Sequence, residues 1–225
     1  MPAKPPQPAH KVIITGTGRS GTTFLVELMT ELGLDTGITA RNRDSKYFRN
    51  CNAGLEHDLL GEETPYIVKN PALCTKLAGA LATGRFVIDH AYIPVRNLDD
   101  AAASRADVGG ADGSIPGGLW GTSDPAAQKG VLAAMFHELV LTLVAHDIPM
   151  TFIGFPRVVG DPEYARAKLR FLVGGVGRDR FREAFERVAD PSLVHSFAKG
   201  APKIERAPLP ERRRGVISRI LGAKR

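Results

Sequence analysis

Short apolar runs alternate with amphipathic segments along most of the chain. Runs at 11–15, 66–68, 92–95 and 150–155 have the length of buried strands. Between them, apolar residues recur every three or four positions and predict helices over 21–32, 71–81, from 101 onward and over 126–146. Strands that alternate with helices favour a parallel sheet with both faces covered. The pattern therefore predicts an α/β fold with a central parallel sheet flanked by helices.

Two segments lack this periodicity. Residues 38–65 are polar and mixed, which predicts a loop-rich insertion over the site, where substrates are often held. Residues 109–124 are rich in glycine and predict a flexible loop or lid. The single tryptophan, Trp120, lies in this loop and either stacks on a ligand ring or pins the loop to the core. Segments 161–173 and 178–188 predict closing helices, and Asp190-Pro191 predicts a turn.

Length and composition favour one domain. A chain of 225 residues with 43% hydrophobic residues can bury a sizeable core without disulfides or metals. We expect this domain to cover 11–200, after a flexible proline-rich N-terminus at 1–10. The two cysteines, Cys51 and Cys74, show no metal or redox spacing and predict small buried apolar residues in a reducing compartment. No segment approaches the length of a membrane span, so a cytoplasmic protein is expected.

The positive charge is concentrated at the C-terminus. Residues 202–225 contain eight basic and two acidic side chains, which accounts for the whole formal net charge of +6. The near-neutral remainder does not support a nucleic-acid partner, and no aromatic and basic patch suggests base stacking. Two interpretations of the tail at 201–225 stay open: a disordered solubilising segment, or peripheral contact with anionic lipid at the inner membrane face or with an acidic acceptor. No pattern indicates the oligomeric state.

The segment 15–23 carries the most specific chemistry. It follows an apolar run and opens the first predicted helix, and its three glycines let backbone amides point at one anion. Ser20, Thr22 and Thr23 add hydroxyl donors. Nucleotide triphosphatases need a lysine directly after the last glycine, where this chain has Thr22. The only cation in the segment is Arg19, so the loop predicts an anion other than a magnesium-bound triphosphate.

This loop resembles the 5′-phosphosulfate loop of the sulfotransferases that use 3′-phosphoadenosine 5′-phosphosulfate (PAPS). Those enzymes carry Lys or Arg before Ser-Gly-Thr-Thr and an apolar residue, matched here by Arg19, Ser20, Gly21, Thr22, Thr23 and Phe24. A second motif lies after the strand at 92–95, where Arg96 precedes Ser104 by eight residues. That spacing lets both side chains converge on one phosphate, and sulfotransferases use such a pair for the 3′-phosphate.

The resemblance covers about residues 11–105 and implies a three-layer P-loop fold. It also implies PAPS as cofactor, adenosine 3′,5′-bisphosphate as product, and no required metal. The cofactor-binding residues that it implies are Gly18, Arg19, Ser20, Gly21, Thr22, Thr23, Arg96 and Ser104. The acceptor is expected to be a hydroxyl of a small molecule or carbohydrate, including a lipid-linked sugar, and the sequence carries no code that selects among them.

The resemblance further implies in-line transfer, with Arg19 neutralising the charge that builds on the leaving phosphate. Lys69, in Lys69-Asn70-Pro71, is a candidate second cation, or else a solvated lysine at a strand end. Many cytosolic sulfotransferases have a catalytic His two residues after this lysine, where the chain has Pro71. Another branch uses a Glu after the first helix, which here favours Glu56 as general base and His57 as the second choice. Surface charges are the alternative for both.

Two competing hypotheses remain at this level. A divergent P-loop kinase or hydrolase is supported by Phe86-Val87-Ile88-Asp89, which is similar to the apolar run and acid that hold magnesium in such enzymes. Its weakness is Thr22 in place of lysine. The other is a non-catalytic nucleotide-binding protein that keeps the loop and lacks the base.

Overall fold

The computed structural model describes residues 7–48, 51–110 and 112–194. The predicted basic tail at 201–225 and most of the predicted flexible N-terminus lie outside these residues. The strands are β1 Ala9–Ile14, β2 Tyr47–Phe48, β3 Ala53–Gly54, β4 Ile67–Lys69, β5 Phe86–Val95 and β6 Met150–Gly154. The helices are α1 Thr22–Glu31, α2 Arg43–Lys46, α3 Leu73–Ala82, α4 Leu98–Val108, α5 Gln128–Ala145, α6 Arg157–Gly160, α7 Pro162–Lys168, α8 Arg170–Val173 and α9 Arg178–Val188, followed by a 3₁₀ turn, Pro191–Leu193.

Four strands form one sheet in the order β4-β1-β5-β6, and every pair in it is parallel. Successive strand residues point to opposite faces, so Val12 and Ile14 lie in one apolar core while Ile13 lies in the other. The first core packs under α1, α7 and α9, and the second packs under α3 and α5. The predicted α/β fold with a parallel central sheet is confirmed.

Several boundaries differ from the sequence expectations. The strand predicted at 92–95 extends back to Phe86, because Asp89 and His90 interrupt the apolar run without ending the strand. Asp89 lies where the register between β1 and β5 shifts, since Lys11 pairs with Ile88 and Val12 with His90. The predicted insertion at 38–65 contains α2 and a small antiparallel pair, β2 and β3.

Helix α4 begins three residues before the predicted start. The side chain of Asn97 accepts hydrogen bonds from the amides of Asp99 and Asp100, and so caps the first turn. Because this cap fixes the helix directly after β5, the strand end and the helix present Arg96 and Ser104 on the same side of the sheet edge.

Helix α5 is long and apolar enough to cross a membrane, judged by length and composition alone. The expectation that no segment approaches this length is wrong for α5. It packs against α3 and α4 and contributes Leu139 and Leu143 to the second core. One helix of this kind is weak evidence for a span, because mostly buried core helices of soluble proteins pass the same test, although only 22% of α5 is buried.

Helix α9 closes over α1. The rings of Phe24 and Phe185 meet edge to face with centroids 5.6 Å apart. Arg180 Nη2 donates to the Leu32 carbonyl at 2.9 Å, which satisfies one of the free acceptors at the end of α1. Arg187 Nε donates to Glu31 Oε1 at 2.6 Å beside it. A C-terminal helix therefore holds the helix whose first turn faces the anion loop.

Candidate functional site

The loop between β1 and α1 has the geometry of an anion site. Arg19 has φ 54° and Gly21 has φ 84°, so the backbone turns through the left-handed region twice within three residues. Gly21 is the N-cap of α1 and offers no side chain to its amides, and no acid stands in the first turn. The first amides of a helix lack intrahelical partners, so these groups and the helix dipole favour a bound anion.

Arg19 is held beside this turn by neutral groups. Its Nε donates to the Ser104 hydroxyl at 3.0 Å, and Nη1 donates to the Cys51 carbonyl. Burial lowers the pKa of Arg19, and Cys51 and Asp107 oppose that effect. Within the described residues, no carboxylate lies at ion-pair distance from Arg19. A bound anion would supply the missing negative charge.

Arg96 reaches the same loop from the end of β5. Its Nη1 donates to the Arg19 carbonyl at 2.9 Å, and its guanidinium lies 5.2 Å from the centre of the Phe155 ring. That ring also lies against Gly21, where an added Cβ would be 2.7 Å from Cδ2 of Phe155. Burial lowers the pKa of Arg96, with Asp100 opposing it. Arg96 and Phe155 therefore brace the loop from the side.

The predicted pair Arg96 and Ser104 comes together through Arg19. Arg96 contacts its carbonyl and Ser104 contacts its side chain. Ser104 is only 2% exposed and does not line the cavity described below. Ser20 is also fully buried, and its hydroxyl has no hydrogen-bond partner. An orphaned hydroxyl inside an anion loop fits an oxygen-rich ligand or a small shift of the loop around one.

A cavity of about 500 Å³ opens in front of the loop. Its walls come from the loop, α1, the β2–β3 pair, the end of β4, α4 and the segment 113–120. The predicted site residues that line it are Gly18, Arg19, Gly21, Thr22, Thr23, Glu56, Lys69 and Arg96. Ser20, His57 and Ser104 do not line it. The structure thus brings the cationic loop and the candidate base to one space.

Lys69 forms an ion pair with Glu56 at the end of β4. Lys69 is 2% exposed, and its Nζ donates to the Gly54 carbonyl at 2.7 Å and to Glu56 Oε1. The alternative of a solvated lysine at a strand end is therefore wrong. Burial lowers the pKa of Lys69, and Glu56 opposes this shift. The Glu56 side chain stays 35% exposed, so it can meet both its lysine and a ligand in the cavity.

His57 is directed elsewhere. Its side chain lines a second cavity with Lys11 and Asp35, and its Nε2 lies 3.4 Å from Lys46 Nζ. Burial and the Lys46 charge lower the pKa of His57. Its backbone is tied to the site, since its amide donates to the Lys69 carbonyl at 3.0 Å. The structure does not bring the His57 side chain to the loop, so the second choice of base loses its geometric support.

Sequence reasoning missed Arg105, which lines the cavity and is 5% exposed. Its Nη2 donates to the Thr17 carbonyl at 2.7 Å, and its Nη1 donates to the Gly118 carbonyl at 2.6 Å. Its guanidinium lies 5.0 Å from the ring centre of Trp120. The available signal was helical spacing, because 101, 102, 104 and 105 form the buried face of α4.

The glycine-rich segment 112–121, which we call the strap, contains no helix or strand among its described residues. Two side chains from neighbouring helices nevertheless hold it. Arg105 holds the Gly118 carbonyl, and Gln128 brackets Trp120 by accepting from its amide at 2.7 Å and donating to its carbonyl at 2.9 Å. Trp120 both lines the cavity and packs against the core, so its two expected roles are compatible.

Asp89 lies far from the anion loop. Its carboxylate accepts from Tyr66 Oη at 3.0 Å and lies 2.6 Å from His10 Nδ1. It precedes the end of β5 by six residues, which is about 20 Å along a strand. A magnesium-binding acid has to stand beside the phosphates, and Asp89 does not. The described residues also contain no group of three or more His, Cys, Asp or Glu side chains that could hold a metal ion.

No family model, curated protein or solved structure matches this chain. The function is therefore inferred from the geometry of the cavity and from the motif resemblance alone.

Proposed function

We propose that the chain binds PAPS and transfers its sulfuryl group to an acceptor hydroxyl, with adenosine 3′,5′-bisphosphate as the second product. The observation that carries this proposal is the placement of Arg19. Its backbone is in the left-handed conformation just before the N-terminus of α1. Arg19 lines the same cavity as Lys69 and Glu56. A cation in the loop, with no lysine after Gly21, suits a sulfuryl donor better than a triphosphate.

The residues present fit the cofactor. The loop amides and Arg19 would hold its 5′ side, the orphaned Ser20 hydroxyl would join them after a small shift of the loop, and Arg96 would hold its 3′-phosphate. Ser104 would act on the cofactor through Arg19, whose Nε it holds, or directly after a small shift of Arg19. Phe24 and Phe155 add apolar walls that suit a purine ring.

When bound, PAPS supplies an electrophilic sulfur joined to a leaving phosphate. Glu56 would take the proton from the acceptor hydroxyl as the hydroxyl oxygen bonds to the sulfur and the bond between the sulfur and the leaving phosphate oxygen breaks. Arg19 and the loop amides stabilise the charge that appears on that oxygen. Lys69 holds the Glu56 carboxylate at the wall of the cavity through the ion pair at the end of β4.

Titration calorimetry and thermal melts of the full chain test the proposal. We expect adenosine 3′,5′-bisphosphate to bind and raise the melting temperature without magnesium. The comparison ligands are ADP and ATP with magnesium. Tight binding of ATP with magnesium, together with no binding of the bisphosphate, would overturn the proposal in favour of a kinase or hydrolase.

Turnover separates an enzyme from a non-catalytic nucleotide-binding protein. The purified chain is incubated with sulfur-labelled PAPS and panels of phenols, sugars and lipid-linked sugars. We expect label to move to at least one acceptor class. Binding of the bisphosphate without any acceptor-dependent loss of PAPS supports the non-catalytic hypothesis instead.

A further inference from the structure

Arg105 is a buried cation whose partners are all neutral. Its two terminal nitrogens donate to the carbonyls of Thr17 and Gly118, its face lies over Trp120, and its buried Nε has no partner. Within the described residues no carboxylate forms an ion pair with it. The sulfotransferase resemblance assigns no role to this position, and the mechanism above does not use it.

Such a charge is costly to bury. Burial lowers the pKa of Arg105 to about 10, and the neighbouring Arg19 acts in the same direction. The guanidinium is still charged at neutral pH, so the free protein keeps two cations close together, and neither forms an ion pair within the described residues. Features that cost stability and persist in a fold concentrate at functional sites.

The contacts of Arg105 join two segments of the chain. Thr17 belongs to the anion loop, and Gly118 belongs to the strap. Gly18 has φ 70°, and an added Cβ would stand 2.5 Å from Arg105 Nη2, so the absence of a side chain there makes room for the guanidinium. The strap also passes close to Arg19, since a Cβ on Gly117 would be 3.4 Å from Arg19 Nη1.

We propose that Arg105 is a positioning residue that clamps the strap to the anion loop, and that an anion in the loop tightens this clamp and fixes Trp120 at the cavity wall. The planar fork of an arginine can hold two carbonyls at once, which a lysine cannot do in the same geometry. The anion offsets the combined charge of Arg19 and Arg105, so the clamped arrangement is more favourable when the loop is filled. The proposal rests on the proposed function only for the identity of that anion.

Trp120 reports directly on the clamp because it is the only tryptophan. The full chain is compared with Arg105→Gln, Arg105→Lys and the control Arg157→Gln, whose arginine lies over Tyr164. In the free proteins we expect both Arg105 variants to show stronger acrylamide quenching of Trp120 and red-shifted emission. Amide exchange in 112–121 should be about ten- to a hundredfold faster, which corresponds to the loss of one or two charge-assisted hydrogen bonds. The control should match the unaltered chain.

Adenosine 3′,5′-bisphosphate supplies the second readout. In the unaltered chain and the control, it should reduce both quenching and exchange of the strap. In the Arg105 variants it should still bind, but it should no longer protect Trp120. A purely structural role would leave this ligand dependence intact, so protection in the variants equal to that of the unaltered chain overturns the proposal.

The two proposals fail separately. If the bisphosphate does not bind the unaltered chain, the proposed function fails, and inorganic phosphate and sulfate replace the bisphosphate in the protection experiment. Protection of Trp120 by either ion in the unaltered chain, absent from the variants, upholds the clamp. If circular dichroism shows that Arg105→Gln is unfolded, Arg105→Lys decides the outcome, because it keeps the charge and removes only the fork. Unchanged quenching and exchange in folded Arg105→Lys overturn the clamp.

Discussion

Two lysines are buried in the sheet, one toward each end of its strands. Lys11 in β1 is 7% exposed, and its Nζ donates to the carbonyls of Thr64 at 2.7 Å and Pro65 at 3.0 Å. Lys69 at the end of β4 pairs with a carboxylate that reaches into the main cavity. Burial lowers the pKa of both. The first lysine donates only to backbone carbonyls and borders the second cavity, whereas the second holds a carboxylate that lines the same cavity as the anion loop.

The difference extends to the neighbours of each lysine. At the amino end, His10, Asp89 and Tyr66 satisfy one another. At the carboxyl end, Arg19 and Arg105 are bound by carbonyls and a hydroxyl. Ligands of open parallel sheets bind beyond the carboxyl ends of the strands. Buried arginines that form no ion pair within the described residues therefore distinguish that end of the sheet from the polar packing at the amino end.

The largest expected effect is on turnover, and it should distinguish Glu56 at the carboxyl end of the sheet from Asp89 at the amino end. Glu56→Gln keeps the shape of the side chain and removes the proton acceptor, so turnover should fall by about two to four powers of ten with cofactor affinity nearly unchanged. Asp89→Asn is the control at the amino end and should change thermal stability without changing turnover. Steady-state rates with labelled PAPS and any accepted hydroxyl give the comparison. Near-normal turnover in Glu56→Gln would remove Glu56 from the mechanism.

A second pair of variants compares two glycines with positive φ. Gly21→Ala adds a Cβ 2.7 Å from the Phe155 ring at φ 84°, so the loop must shift and bisphosphate affinity should fall by about a hundredfold or more. Gly84→Ala has φ 65° and nothing within 4 Å of the added atom. It carries backbone strain of about 1 to 2 kcal/mol and should leave affinity unchanged. Calorimetry that finds equal affinities for the two variants contradicts the assigned anion loop.

Two arginines give a smaller and more selective effect. Arg96→Ala should weaken the binding of adenosine 3′,5′-bisphosphate by about 2 to 3 kcal/mol, because a charge-assisted bidentate contact with the 3′-phosphate is lost. The affinity for ADP should change little, because ADP has no 3′-phosphate. Arg96 acts on ADP only through its contact with the Arg19 carbonyl. Arg85→Ala at the amino end, where the side chain donates to the Leu60 carbonyl, should affect neither ligand. Equal losses for both ligands in Arg96→Ala would refute the 3′-phosphate assignment.

The smallest effect is a pH dependence of stability at the second cavity. Burial lowers the pKa of His57 below its ordinary value of 6.5, so the unfolded chain binds more protons than the folded one below about pH 6.5. The free energy of unfolding should therefore fall as the pH drops through that range. His57→Gln should flatten this slope, with bisphosphate affinity unchanged at pH 7.5. Urea titrations at several pH values measure the slope, and an unaltered slope contradicts the burial of the ring.

The sequence predicted the first strand and helix closely, because both signals are local. Glycines bracket α1, apolar residues repeat along it, and the structure places its start at Thr22 and its end at Glu31. The extent of β5 was not predictable, since Asp89 breaks the apolar run and is accommodated only by a register shift against β1. A bulge depends on the partner strand, which periodicity within one segment does not report.

The residues of the candidate site likewise fall into those that local sequence predicts and those that depend on contacts distant in the chain. Arg19 and Lys69 were found because they adjoin glycines or a strand end, where position in the chain already implies position in the fold. Arg105 was missed because an arginine in an alanine-rich helix normally points to solvent. Its contact with Thr17 spans 88 positions of the chain, and only the packed molecule shows it. His57 adjoins Glu56 in sequence and still faces another cavity.

The closure of α9 over α1 has a consequence for biosynthesis. Arg180 contacts the end of α1 across 148 positions, and Phe185 covers Phe24 near its start. During translation, the loop and α1 leave the ribosome long before the residues that cover them exist. The apolar face of α1 is exposed during that interval, when intermediates are prone to associate. We expect nascent chains that end before residue 178 to recruit chaperones, and the anion loop to acquire its final rigidity only after α9 has been made.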